Sequence, residues 1–312
     1  MNRATENKII LIVRKTRLDE LIARHNTRSQ AQFYLEHLGA DFSDYEQEHR
    51  RYQETVQTAG EILSRLGRVQ IVDRSFLPNF LFGKEDTVVV LGQDGLVANT
   101  LKYLDCQPVI GVNPDPARWD GILLPFRVED LPFVVPDVFT ERRKIRSITM
   151  AQASLSNGQV LYAVNDLFIG PRSHTSLRYS IRHAERAERQ SSSGIIVSTG
   201  LGSTGWFKSI LAGAEGIAGP GKGAGGKPAP ARGFAWEADY LYFSVREPFP
   251  SKTSGANIVF GKITRESPLR IESHTPDTGV IFSDGIENDF LHFPSGMDAE
   301  ITVSQRAGRL VI

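Results

Sequence analysis

The stretch from Val88 to Leu104 constrains this chain more than any other. Four consecutive apolar residues, Val88, Val89, Val90 and Leu91, have the texture of a strand covered on both faces, as central parallel strands are. Gly92-Gln93-Asp94-Gly95 follows, and Leu96, Val97, Leu101 and Leu104 then recur at helical spacing. A buried strand, a tight turn and a helix make a βα unit, and parallel strands require such crossovers. Backbone N–H groups at the start of that helix can cradle phosphate oxygens, and glycines let a ligand approach the main chain. Asp94 at the apex is either the cap of the helix or a carboxylate that takes a proton from a substrate hydroxyl.

The segments on either side repeat the pattern. Ile9 to Val13 reads as a buried strand, residues 17–38 as helix in two pieces, Val69 to Val72 as a short strand, and Pro108 to Asn113 as another. Between 42 and 66 lies a seam of Phe42, Tyr45, His49, Tyr52, Val56, Ala59, Leu63 and Leu66, stepping by three and four along one long helix. Packing of that seam on its own domain is the favoured reading, and a subunit contact is the other. Strands alternating with helices predict a doubly wound α/β domain up to about residue 135.

After Pro132 and Pro136 the texture changes. Short alternating runs at 145–148, 159–169, 177–181 and 195–197 predict antiparallel strands with little helix between them. The expected organisation is therefore an α/β domain over residues 1–140 and a β-rich domain over 141–312. Arg182 to Arg189 reads as a solvated charged turn. The Gly-, Ala- and Pro-rich residues 212–233 read as a flexible surface loop, preceded by a short helix from Phe207 to Leu211.

Charge and cysteine content narrow the function classes. Lys plus Arg and Asp plus Glu number 36 each, so no net field points to nucleic acid or to an anionic membrane. One cysteine, Cys106, excludes an internal disulfide framework and suits a reducing cytoplasm. No cysteine–histidine cluster has zinc-site spacing, and Ile9 to Val13 is too short for a membrane span.

Two further stretches carry chemistry. Ser198-Thr199-Gly200-Leu201-Gly202-Ser203-Thr204-Gly205-Trp206 follows a strand and opens a helix. Its hydroxyls can serve a ribose or phosphate, and Trp206 offers a flat face to a ring; a capped serine-rich turn is the equal alternative. Asn165-Asp166 interrupts the apolar run 161–169. Neighbours in a strand point to opposite faces, so one of the two should face a core or cleft and need a polar partner; a strand-end turn is the duller reading. Gly200 to Gly205 fits G-x-G-x-x-G formally, but no βα unit or acidic residue follows at the required distance. Gly221 to Lys227 has Walker A spacing, but Pro228 stands where Ser or Thr is needed. Both matches are set aside.

In order along the chain, Gly92-Gln93-Asp94-Gly95-Leu96, Asn165-Asp166, Thr199 to Trp206, and Phe282-Ser283-Asp284-Gly285 resemble the NAD kinase family. There a Gly-Gly-Asp-Gly-Thr turn precedes an Asn-Glu pair, a Thr-Gly-Ser-Thr-Ala-Tyr segment and a late Phe-Asp-Gly turn. The resemblance covers residues 86 to 312, and the 42–66 helix looks like an addition. It implies a Rossmann-like N-terminal domain, a β-rich C-terminal domain, NAD bound between them, and phosphoryl transfer from ATP or another donor to the 2′-hydroxyl of the adenosine ribose. Asp94 would be the base, with Gly92, Gln93 and Gly95 at the phosphates. Asn165 and Asp166 would hold the adenosine part. Thr199, Ser203, Thr204, Gly205, Trp206 and Ser209 would border the dinucleotide. Magnesium is expected with the donor, no dedicated metal ligands are identified, and a homo-oligomer, dimer or tetramer, is implied.

The departures are specific. Gln93 replaces a glycine, Leu96 a threonine, and Ser193 an aspartate that contacts NAD; Gly205-Trp206 replaces Ala-Tyr. A kinase for another hydroxyl (nucleotide, sugar or lipid) and a catalytically silent nucleotide-binding homologue are the alternatives.

Overall fold

A computed structural model describes residues 3–218 and 233–312, which divide into two compact units, Met1–Arg146 with Arg309–Ile312, and Ser147–Gly308. In the first, β1 (Lys8–Val13), β2 (Arg68–Asp73), β3 (Thr87–Leu91) and β4 (Pro108–Val112) form a parallel sheet in the order β2-β1-β3-β4. The two central strands read as they do because both faces are covered: Ile9 to Ile12 and Val88 to Leu91 are all fully buried. From β1 the chain winds one way to β2, and from β3 the other way to β4, so the winding reverses between β1 and β3.

Helices α1 (Arg17–His25), α2 (Arg28–His37) and α3 (Phe42–Leu66) connect β1 to β2, α4 (Asp94–Leu101) connects β3 to β4, and α5 (Leu131–Phe139) follows β4. Thr16 and Asp19 form a reciprocal capping box at the start of α1, and Asp41 caps α3 through the Ser43 N–H. The α3 seam is consumed within its own unit. Tyr52, Ala59 and Leu63 pack with Ile9, Leu11, Val89 and Leu91, while Phe42 and Tyr45 join Leu18 and Leu35 of α1 and α2.

The last residues depart from expectation. Arg309 and Leu310 pair in parallel with Pro108 and Val109, so Arg309–Ile312 belong to the first unit and not to the β-rich half. An edge strand offers unpaired N–H and C=O groups to any strand that reaches it, and local sequence does not name the distant strand that will.

The second unit is a sandwich of two sheets. Strands β5 (Ile145–Leu155), β6 (Val160–Ala163), β8 (Leu177–His183), β9 (Arg186–Ser192), β13 (Leu269–Ser273) and β16 (Asp298–Val311) make one, and β7 (Asp166–Pro171), β10 (Gly194–Ser198), β11 (Leu241–Arg246), β12 (Phe260–Ile263), β14 (Gly279–Ser283) and β15 (Ile286–His292) the other. The second sheet is antiparallel, in the order β12-β11-β10-β7-β14-β15. Leu167, Ile169, Val197 and Phe243 of this sheet meet Leu177, Tyr179, Leu269 and Ile301 of the first in one core.

Two boundaries differ from the sequence reading. The run 159–169 is two strands, with Val164 and Asn165 in a bend between β6 and β7, because alternation registers apolar content but not where pairing breaks. Helix α6 runs from Trp206 to Ala218, so residues 212–218 are helical rather than loop; the remainder of the expected loop, 219–232, lies outside the described residues.

Candidate functional site

In the first unit, the Gly92-Gln93-Asp94-Gly95 turn leaves the carboxyl end of β3 at the point where the winding reverses. In doubly wound sheets that crevice is where ligands bind, because the connections diverge to either side and leave it uncovered. Gln93, not Asp94, is the N-cap of α4, with φ −113° and ψ 163° and no side-chain capping bond. Its backbone is ordinary extended chain, so a glutamine here carries none of the strain a left-handed position would impose. Asp94 and Gly95 occupy the first helical turn, where N–H groups have no carbonyl of their own helix to bind. Beyond Gly95 the space for a side chain is open, while a Cβ on Gly92 would meet Leu96 Cδ2 at 2.7 Å.

The Asp94 carboxylate accepts the Leu123 N–H at 2.7 Å and the Ile122 N–H at 3.3 Å. That loop approaches because Gly111 has no side chain: a Cβ there would meet the Leu123 carbonyl oxygen at 2.0 Å. One face of Asp94 is thus tied to backbone, and the half-exposed residue keeps further lone pairs for a substrate hydroxyl. Arg14, just past β1, also belongs to the crevice. Its guanidinium donates to Glu48 Oε1 at 3.1 Å and to the Lys15 carbonyl at 2.9 Å, while its buried Nε has no partner among the described residues. Sequence reading passed over Arg14; a basic residue directly after the first buried strand was the available signal.

In the second unit three distant segments converge at one end of the adjacent strands β10, β7 and β14. The Asp284 carboxylate, on a residue with φ 55°, accepts the N–H groups of Val164 at 3.1 Å, Asn165 at 2.6 Å and Asp166 at 3.3 Å. From the other side, the Thr199 N–H donates to the Asn165 carbonyl at 3.0 Å, and the Thr199 hydroxyl to the Val164 carbonyl at 2.5 Å. Gly202 is obligatory, since a Cβ would lie 2.2 Å from the Asn165 oxygen. The Asn165 backbone is therefore fixed on both flanks, and its side-chain amide makes no hydrogen bond among the described residues. Asp284 lies in the Phe282-Ser283-Asp284-Gly285 turn, but its role as anchor is visible only in the fold.

Asp166 opens β7 beside Ser198, and its Oδ1 is buried without a partner among the described residues. Burial, seconded by the nearby Asp284 charge and opposed by the Ser198 hydroxyl, raises its pKa to about 7. A buried carboxyl oxygen without a partner is what a polar ligand would satisfy. Alternation along β7 puts Asp166 and Phe168 on the face opposite Leu167 and Ile169, which point into the core. On that outer face Phe168 packs on Phe282 at 4.7 Å between ring centroids, and Trp206 stacks on Phe168 at 5.9 Å and 14°.

The remaining sequence candidates divide. Thr199 and Ser203 are buried with hydroxyls bonded internally; the Ser203 hydroxyl donates to the Gly200 carbonyl at 2.6 Å and accepts the Phe234 N–H at 3.1 Å. Both shape the loop. Thr204, Gly205 and Ser209 are exposed about the start of α6, and Trp206 is 39% exposed with the Arg246 guanidinium 5.4 Å over its ring. Ser193 gives its N–H to the Arg246 carbonyl at 3.0 Å. A base stacked on the exposed face of Trp206 is expected to lose about 1–3 kcal/mol of binding in Trp206→Ala, the range for a base on an aromatic side chain. Calorimetry that finds equal affinity in the variant would return Trp206 to the packing of Phe168.

A parallel α/β unit wound about a Gly-x-Asp-Gly turn, followed by a β-sandwich unit that gathers Asn165-Asp166, Thr199 and Asp284, defines the NAD kinase fold. Two solved structures share it over nearly the whole chain. An NAD kinase from Archaeoglobus fulgidus in complex with ATP matches 98% of this chain and 93% of its own at 16% identity, with a TM-score of 0.55. Yeast NADH kinase complexed with NADH matches 99% of this chain and 84% of its own at 15% identity, with a TM-score of 0.58. No family model and no curated protein matches the sequence.

Proposed function

We propose that this protein is an NAD kinase-like phosphotransferase that moves a phosphoryl group from ATP, or another phosphoryl donor, to the 2′-hydroxyl of the adenosine ribose of NAD. The observation that carries the reading is the convergence of Asn165-Asp166 with Asp284 and Thr199, which leaves the Asn165 amide and Asp166 Oδ1 available to a polar ligand. On this reading those groups would hold the adenosine part of NAD. The α4 N–H groups of Asp94 and Gly95 and the orphan Nε of Arg14 suit triphosphate oxygens. Asp94 takes the hydroxyl proton as the new P–O bond forms and the bond from that phosphorus to the donor's leaving oxygen breaks, releasing ADP when ATP is the donor. A magnesium ion brought with the donor would be held mainly by the donor phosphates and water. When bound, that ion neutralises charge on the transferring group. A homo-oligomer in the cytoplasm completes the proposal.

A kinase for a different hydroxyl is the second reading. It is favoured by Ser193, which leaves no carboxylate where the resemblance places one, and by the cation Arg246 above Trp206. One set of measurements separates the two. The protein with magnesium and ATP should convert NAD to NADP, and NAD should raise its melting temperature, as a ligand that binds only the folded state must. Absence of both effects, with a melting shift from a nucleoside or sugar phosphate instead, would move the function to the second reading.

A further inference from the structure

The rung that should close the switch-point crevice is occupied by a side chain. Ile12 pairs with Val90 in the parallel ladder of β1 and β3. Continuing that register sets Arg14 opposite Gly92, so the Arg14 N–H and the Leu91 carbonyl are the donor and acceptor of the next rung. They do not bond to each other in this way. The Tyr52 hydroxyl stands between them, accepting the Arg14 N–H at 2.9 Å and donating to the Leu91 carbonyl at 2.9 Å. A hydroxyl inserted in a rung holds the two strand ends apart, and it does so at Leu91, the residue before the Gly92 turn.

The hydroxyl is itself held. Tyr52 is 3% exposed, burial pushes its pKa up to about 12, and the Arg14 guanidinium lies 5.0 Å from its ring. Glu48, one turn earlier on α3 and also buried, pairs with Arg14 and Arg17. On the same helix Asp44 and Arg51 pair with Arg118 and Asp115 in the segment after β4. That segment leads into the loop whose N–H groups hold Asp94. Helix α3 thus braces both the strand that launches the turn and the segment that tethers its carboxylate.

We infer that Tyr52 is a positioning residue, whose hydroxyl keeps the β1–β3 crevice open and sets the Gly92–Gly95 turn at the distance the phosphoryl donor needs. The inference rests on the kinase reading for its kinetic consequence and on geometry alone for its structural one. Tyr52→Phe keeps the ring and removes the oxygen. Tyr179→Phe is a matched control, since that buried hydroxyl bonds Gln190 and Ser192 within the sandwich unit. At a temperature where both full-length variants are folded, Tyr52→Phe should lose about tenfold to a hundredfold in kcat with NAD KM within about threefold, the mark of a misplaced reacting group. Tyr179→Phe should keep the parental kcat. Parental kcat in folded Tyr52→Phe, a loss confined to KM, or a variant that does not fold would each overturn the positioning role.

A parent that makes no NADP would overturn the kinase reading and leave hydrogen exchange to decide this one. In that case the Gly92 and Leu96 amides should exchange about tenfold faster in Tyr52→Phe than in the parent or in Tyr179→Phe. Unchanged exchange there would overturn the inference.

Discussion

Asp94→Asn is expected to leave the first unit folded and, on the proposed function, to lower phosphoryl transfer to NAD by about two orders of magnitude or more, as loss of a general base does. The substitution isolates chemistry from architecture. An asparagine oxygen still accepts the Leu123 N–H that the carboxylate now accepts at 2.7 Å, so the loop stays tethered. What disappears is the negative charge, the capacity to hold a proton, and the acceptor for the exposed Ile122 N–H at 3.3 Å. Asp94→Ala, by contrast, also strands the Leu123 N–H and should cost about 1–3 kcal/mol of stability. Melting curves and turnover measured on both variants separate the two roles. Transfer at the parental rate in Asp94→Asn would remove Asp94 from the mechanism and leave it a loop anchor.

Asp284→Ala is expected to do the largest damage to the second unit. One carboxylate serves the N–H groups of Val164, Asn165 and Asp166, and a buried donor left without an acceptor costs about 1–3 kcal/mol. Alanine keeps the backbone strain that the aspartate already carries at φ 55°. A loss on the order of 4 kcal/mol, read as a lower urea midpoint, is the sum over these N–H groups. Asp284→Gly removes the strain and keeps the loss of acceptors, so it should fall between alanine and parent. On the proposed function both variants should also lose NAD affinity, because the Asn165 turn is no longer pinned. Parental affinity and midpoint in Asp284→Ala would mean that Thr199 and Gly202 fix the turn unaided.

The same variant changes a pH dependence. Asp166, raised chiefly by burial to about 7, binds more protons folded than unfolded between its unfolded value of about 4 and that folded value. Its contribution to stability is therefore present at low pH and lost as pH rises through this window. With the Asp284 charge gone the folded pKa falls, and the acid-side slope should flatten.

The sequence by itself determined the βα unit around Asp94, since four apolar residues followed by a glycine-bounded turn and a helical repeat admit few other folds. It also determined the change to antiparallel texture after Pro136 and the packing seam of α3, because burial periodicity is a local property. What each polar group bonds to was not local. That Gln93 takes an unstrained cap conformation, that Thr199 and Ser203 spend their hydroxyls inside the loop, and that Asp284 carries the Asn165 turn depend on strands brought together from distant parts of the chain. So does the Tyr52 hydroxyl, which reads in the sequence as one more aromatic on an apolar stripe and in the fold as the missing rung between β1 and β3. Apolar residues declare themselves by period because the hydrophobic effect is non-directional. A hydrogen bond needs a partner at a set distance and angle, and only the tertiary structure supplies the partner.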